Sequence, residues 1–269
     1  MAFERAKNCY IGKNKIYRKQ ERAIEKKTDN QMPLAEERKH KVLILYASAG
    51  SGHRAASNAL QAAWHELYPN DQVSVEDILK YTNPVFRFVY SKGYLLAASK
   101  LPLIWRVLFY SGEDISKYKP PSKLGWIFRR MLLARFIKKM DKVRPDIVVS
   151  THFLASDALV ILKRKQRFEF RFAIITTDYG LHSAWLSPCA DRYYVPTPHM
   201  RAELLNTDDY LGLKEKDIKI TGIPINPKYS NLAPKNELRE KYHLDPRVFT
   251  MLLFRDVFSQ RNFDTFVKY

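Results

Sequence analysis

Cysteine is nearly absent, with only Cys9 and Cys189 in 269 residues. Two thiols so far apart, without paired spacing, exclude a disulfide scaffold and a cysteine-based zinc site, and a reducing compartment is expected. Glycine is scarce as well, with nine residues and none after Gly222. Long apolar runs are missing: Lys, Arg, His or Asp interrupts each candidate before the ~18 residues a bilayer-spanning helix needs, as His152 and Asp157 do between Ile147 and Leu162. The opening MAFERAKNCYIGKNKIYRKQERAIEKK lacks the apolar core of a secretory signal and carries too many acids for a transit peptide, so a cytoplasmic protein is expected. Acidic side chains are few, 28 against 46 Lys and Arg, for a formal charge of +18. That excess points to an anionic partner (a membrane surface, a nucleic acid or a phosphorylated substrate) or serves solubility alone.

Hydrophobic residues make up 46% of the chain and aromatic residues 13%, enough for a core, so wholesale disorder is excluded. Residues 1–40 mix basic and acidic side chains and read as a basic tail without chemistry. At Lys41 the run KVLILYAS has the composition of a strand buried on both faces of a parallel sheet, and it ends in the small-residue turn AGSG. A helix is predicted from Arg54 to Tyr68 on the spacing of Ala55, Ala59, Ala62, Ala63 and Leu67, stopped by Pro69-Asn70-Asp71. Further strands are predicted at Gln72–Glu76, Asp146–Ser150, Phe172–Thr176 and Arg192–Val195, with helices near Ala155–Lys165 and Pro198–Leu205. This alternation predicts an α/β, Rossmann-like doubly wound parallel sheet whose ligands bind beyond the C-terminal strand ends.

Residues 82–144 are too long for a simple crossover. Eight Lys or Arg lie between Lys123 and Arg144 against Asp141 alone, while Leu124, Phe128, Met131, Leu132, Phe136 and Met140 can share one helical face. Such a helix either lies in a membrane interface or packs on a core with its cations in water. At the other end, Val248–Phe254 reads as the first strand of another α/β unit, of which only fifteen further residues are present.

The densest local signal is AGSGHRAA, from Ala49 to Ala56, between a strand and a helix. Gly50 and Gly52 allow positive φ and close approach of a ligand, and the N–H groups of a helix start attract phosphate. His53 would face that crevice, where a neutral imidazole can take a proton from a hydroxyl. The alternative is a tight turn with a surface histidine. The same residues fit the dinucleotide pattern GxGxxA, with Glu76 or Asp77 placed for a ribose, so a nicotinamide-dependent oxidoreductase is a second alternative.

Taken together, AGSGHRAA after KVLILYAS, the segment with Pro84, Tyr90, Tyr94, Pro102, Trp105 and Tyr110, the run TTDYGLHSAWLSPCADRYYVPT, and TGIPI at 221–225 resemble the monogalactosyldiacylglycerol synthase and bacterial diacylglycerol glucosyltransferase family. These are two-domain GT-B glycosyltransferases related to the one that acts on lipid I. The resemblance covers residues 41 to about 250. It implies inverting hexosyl transfer from UDP-glucose or UDP-galactose to diacylglycerol without metal or cofactor, with His53 as general base. By the same resemblance Gly50, Ser51 and Gly52 lie near the acceptor and donor phosphates. Asp178 would orient His53 or bind a hydroxyl, and His182 and Trp185 would line the way in for the acceptor; otherwise Asp178 caps its loop and Trp185 is core.

Diacylglycerol is insoluble, so the resemblance also implies a peripheral enzyme docked on anionic lipid. Trp105 and Trp126 would sit at headgroup depth, and Arg129, Arg130, Arg135, Lys138 and Lys139 would meet the lipid charge. The basic residues cluster beside an apolar helix face without a nucleic-acid-binding signature, so no nucleic acid partner is expected; a non-catalytic membrane-binding module is the remaining alternative. The chain departs from the family pattern after VFTMLLF, where Arg255-Asp256-Val257 stand in place of a glycine-rich donor turn. The expected organisation is therefore a tail (1–40), an acceptor-binding, membrane-associated domain (41–235, insertion 82–144), and a linker with the start of an incomplete donor domain (236–269). On that expectation the chain alone has little or no transfer activity.

Overall fold

A computed structural model describes residues 39–48, 50–93, 131–165, 167–207, 211–230 and 232–251. Trp105, Trp126, Arg129 and Arg130, and nearly all of the expected tail, lie outside the described residues.

The chain builds a six-stranded sheet in the order β2-β1-β3-β4-β5-β6. The strands are β1 (Lys41–Tyr46), β2 (Gln72–Asp77), β3 (Ile147–Ser150), β4 (Arg171–Ile175), β5 (Arg192–Val195) and β6 (Ile218–Ile220). Every pairing is parallel, so the helices must cross over the sheet faces. They are α1 (Gly52–Leu67), α2 (Pro84–Phe88), α3 (Ala134–Val143), α4 (Phe153–Arg164), α5 (Pro198–Leu205) and α6 (Lys235–Lys241). The expected Rossmann-like α/β sheet is present, and its predicted strands and helices differ from the observed ones mainly at their ends. β6 and α6 were not anticipated: the IKI strand is three residues long and has no run of apolar residues to mark it. The predicted strand at Val248–Phe254 is not seen in its described part, where Val248 lies in a bend and residues 249–251 have no regular structure.

β1 shows why a continuous apolar run suits a parallel sheet. Leu43 and Leu45 point into a core shared with Phe136, Met140, Leu159, Phe172 and Tyr193, while Val42 and Ile44 join Val149, Ile175, Leu60 and Trp64 on the opposite face. α1 forms as predicted, but its buried stripe is Ala56, Ser57 and Ala59, with Leu60 and Trp64 packed behind, and Leu67 is exposed. The alanines fall within about a third of the helix circumference, and the inward face is shifted from them toward the larger Leu60 and Trp64. The Trp64 indole N–H donates to Asp71 at 2.9 Å, closing the turn into β2.

α3 settles one alternative for its own length: Leu133, Phe136, Ile137 and Met140 are buried in the core, and Arg135, Lys138 and Lys142 face water. The apolar face of this stretch is thus occupied by protein. Lys139 pairs with Glu76 at 3.0 Å, tying the helix to the end of β2. Glu76 also accepts from the Tyr81 hydroxyl, and Asp77 accepts from the amides of Leu79 (3.0 Å) and Ser48 (3.3 Å). Both carboxylates proposed for a nicotinamide ribose are therefore bound to the protein's own groups. Cys189 is buried.

Phe136→Ala is expected to cost about 3–5 kcal/mol, read as a lower urea midpoint, because it opens a cavity under β1. Arg135→Ala, on the wet side of the same helix, is expected to stay within about 0.5 kcal/mol.

Candidate functional site

The strand order reverses at β1, which has β2 on one side and β3 on the other, so the turns leaving β1 and β3 diverge and open a crevice between them. Into it the β1–α1 turn brings His53, the β3–α4 turn brings Thr151 and His152, and the segment after β4 brings Thr177 and Asp178.

Gly50 has φ +115°, a conformation that strains any residue with a Cβ. Gly52 differs: its φ is not in that region, and a Cβ built there meets nothing within 4 Å. Neither backbone conformation nor packing requires a glycine at 52. Ser51 precedes α1 with no side-chain cap, and no acidic residue occupies the first turn, so its first amides remain available to an anion.

His53 is half-buried, and both hydrogen bonds of its ring use Nδ1, which lies 2.8 Å from the Thr151 carbonyl oxygen and 2.8 Å from Thr177 Oγ1. Burial lowers its pKa, partly offset by the Thr151 carbonyl and the Asp178 charge, so the ring is neutral at physiological pH. Thr151 is fully buried and ties the two turns together: its amide donates to the Leu45 carbonyl at 2.9 Å, and its Oγ1 lies 3.1 Å from the His53 carbonyl and 2.8 Å from Ser57 Oγ.

His152 was not singled out from the sequence, yet its ring packs edge-on to His53 with centroids 4.5 Å apart and planes at 71°. Its Nδ1 accepts from the Leu154 amide at 3.1 Å, capping α4, and burial, with the neighbouring His53, holds its pKa well below the usual imidazole value. Phe153 and Tyr90 flank it at 4.2 and 6.0 Å, and Phe86 stacks on Tyr90 at 5.3 Å. The site thus runs as a row of rings toward the 82–144 insertion. Spacing could not show this, because the rings come from three separate segments: the β1–α1 turn, the β3–α4 turn, and α2 with the turn after it.

The other expected site residues fall differently. Asp178 does not hydrogen-bond to His53; its Oδ2 accepts from the Trp185 indole N–H at 2.8 Å. Trp185 is fully buried, lying beneath His53 at 6.4 Å and edge-on to Phe153, so it supports the site from below and is not at an opening. His182 caps the turn that carries Trp185, its Nδ1 accepting from the Ala184 amide at 3.1 Å. Among the described residues no cluster of three or more His, Cys, Asp or Glu could hold a metal.

An open parallel sheet with a neutral histidine and an uncapped glycine-rich helix start at its switch point defines a Rossmann-like domain, the architecture of one half of a GT-B glycosyltransferase. The chain belongs to the monogalactosyldiacylglycerol synthase family: the family profile described as "Monogalactosyldiacylglycerol (MGDG) synthase" matches residues 53–225, beginning on His53 itself. Among curated relatives, a "Processive diacylglycerol beta-glucosyltransferase" of Staphylococcus carnosus is 27% identical over 230 residues, 84% of this chain and 55% of that protein. A protein of the same name from Bacillus subtilis is 29% identical over 216 residues, 79% of this chain and 53% of its own length. The chain therefore spans about half the length of these relatives. A solved structure, "lipopolysaccharide outer core galactosyltransferase WaaB apo form", aligns with TM-score 0.39 and 15% identity over 67% of this chain and 44% of that one.

Two measurements probe the site. Gly50→Ala is expected to destabilise by about 1–2 kcal/mol from left-handed strain, whereas Gly52→Ala leaves stability unchanged or slightly higher, both read by thermal unfolding. Both buried rings titrate below the 6.5 of a free imidazole, so just under pH 6.5 the unfolded chain binds more protons than the folded one. Their contribution to stability is complete above that value and is lost as pH falls through it toward the folded values. Urea midpoints should decline below pH 6.5, and His53→Asn should make the decline shallower.

Proposed function

We propose that this chain is the acceptor-binding half of an enzyme that transfers a hexose from a UDP-sugar to diacylglycerol at a membrane surface, with inversion at the anomeric carbon. The observation that carries the reading is His53: a neutral imidazole at the switch point, with both hydrogen bonds on Nδ1 and its Nε2 lone pair available, in a chain whose relatives carry the name diacylglycerol glucosyltransferase. In the reaction Nε2 takes the proton of the free glycerol hydroxyl while its oxygen forms a bond to the anomeric carbon. The bond from that carbon to the UDP oxygen breaks, and UDP leaves from the opposite face. Gly52 lets a phosphate or the acceptor glycerol approach the first-turn amides of α1, whose dipole favours negative charge. Residues 41–235 serve as the acceptor domain, and residues from 236 onward begin the donor part.

Membrane docking is supported by exposed apolar side chains at the mouth of the insertion: Val85, Phe88 and Val89 on α2 and the turn after it, and Met131 before α3. Arg135 and Lys138 add exposed cations, each worth ~1 kcal/mol near an anionic leaflet. Among the described residues no helix is long and apolar enough to cross a membrane. Lys139, engaged with Glu76, has less freedom to reach lipid than its neighbours.

Labelled hexose transfer from UDP-glucose and UDP-galactose to diacylglycerol in anionic vesicles, with the donor half supplied separately, tests the proposal. Transfer is expected only with both halves, and His53→Ala should lower it about 10²–10⁴-fold while vesicle flotation is unchanged. An unaffected His53→Ala rate, or no transfer with both halves, would overturn it. Arg135→Glu with Lys138→Glu should weaken flotation by more than about fivefold per residue at low salt.

A further inference from the structure

We infer that Thr177 is a positioning residue for His53. With the Thr151 carbonyl, it holds the imidazole in the Nδ1–H tautomer, doing with neutral oxygens what a carboxylate does in an acid–histidine pair. The inference rests on the reading of His53 as the base, and its geometry can be tested apart from that reading.

Two oxygens lie 2.8 Å from the same nitrogen. One belongs to the Thr151 carbonyl, which can only accept, so Nδ1 must carry the ring's hydrogen. Thr177 Oγ1 then also faces an N–H and accepts from it as the second arm of a three-centre bond. Its own hydroxyl hydrogen is turned away from the ring. The arrangement leaves the single lone pair of the imidazole on Nε2, where a base needs it.

The neighbouring ring has the opposite assignment. His152 Nδ1 accepts from the Leu154 amide, so its hydrogen sits on Nε2. Two neutral histidines 4.5 Å apart are thus locked in opposite tautomers by backbone groups of one turn, Thr151 for the first and Leu154 for the second.

Asp178, the next residue after Thr177, is the carboxylate expected to orient His53. Its bonded oxygen is instead held by the Trp185 indole, and it influences the imidazole only through its charge. A carboxylate on Nδ1 would raise the basicity of the ring and favour the imidazolium at neutral pH; two dipolar oxygens fix the same tautomer and keep the ring neutral and ready to accept a proton. Thr177 can do this because β4 lies beside β3, so the residue two places beyond β4 reaches the crevice that Thr151 borders. When Nε2 takes up the acceptor proton, both oxygens stabilise the cation formed, and the proton passes to solvent before the next turnover.

The test uses the full chain labelled with ¹⁵N-histidine and long-range ¹H–¹⁵N correlation across a pH titration. His53, identified by the signals lost in His53→Gln, is expected as the Nδ1–H form with a bare Nε2; His152 is expected as the Nε2–H form. Thr177→Val keeps the branched shape and removes the acceptor, so His53 should titrate at lower pH than in the parent, and Thr177→Ser should restore the parent value. With the donor half added, Thr177→Val should lower kcat about tenfold with KM unchanged, and Thr177→Ser should recover it. An Nε2–H form of His53 in the parent chain, or a folded Thr177→Val that titrates as the parent does, would overturn the inference. Should Thr177→Val not fold, the parent tautomer and the Thr177→Ser titration decide. Transfer that survives His53→Ala would remove the base assignment and leave this ring geometry standing, while a reversed tautomer in a His53-dependent enzyme would remove this inference alone.

Discussion

The crevice depends on Thr151. Two βα turns that diverge at a switch point have no backbone hydrogen bonds between them, since the parallel ladder ends where the strands end. Thr151 spans that gap three ways, with its amide on the end of β1, its carbonyl on the His53 ring and its hydroxyl beside Ser57 and the His53 backbone. Thr151 is itself fully buried, where an unmet partner costs about 1–3 kcal/mol, so the turns hold each other in one arrangement. The position of the His53 ring is thereby coupled to the integrity of the β1–β3 pairing.

Charge is divided between surface and site. The chain carries +18 overall, yet the rings at the crevice are held neutral by burial and by dipolar partners. The helix start beside them is uncapped and without acids, so its backbone amides contribute positive potential there. Cations are placed outward, on the wet face of α3. This separation fits the proposed docking on an anionic surface while the imidazole in the crevice stays neutral.

Support comes from beneath as well as from the sides. Trp185 fills the floor under His53, and its indole N–H is satisfied by Asp178, so one side chain contributes packing while the other meets a buried donor. Phe153, His152, Tyr90 and Phe86 continue the aromatic contact toward α2 and the start of the insertion. A shift of that segment would be felt at the base through van der Waals contact, without any change in the hydrogen bonds that hold the ring.

Much of this could be read from residue order. Local apolar runs and helical spacing named the strands of the sheet except β6, because burial on both faces of a parallel sheet leaves a continuous mark, whereas IKI is too short to leave one. Gly50 and His53 stood out because a strand, a glycine turn and a helix follow one another in the chain. Thr151, His152 and Thr177 did not: they meet His53 from 98, 99 and 124 positions away, and a threonine or histidine after a strand carries no sign of its partner. Trp185 was legible as core only as the alternative reading, and its pairing with Asp178 was not legible, since which acceptor an indole finds depends on the path of the folded loop. Short-range pattern and backbone preference were enough for the layers, the glycine turn and the place of His53 beside it. Which oxygens hold the His53 ring follows from the assembled sheet, because strand order, and not chain order, sets which turns come together.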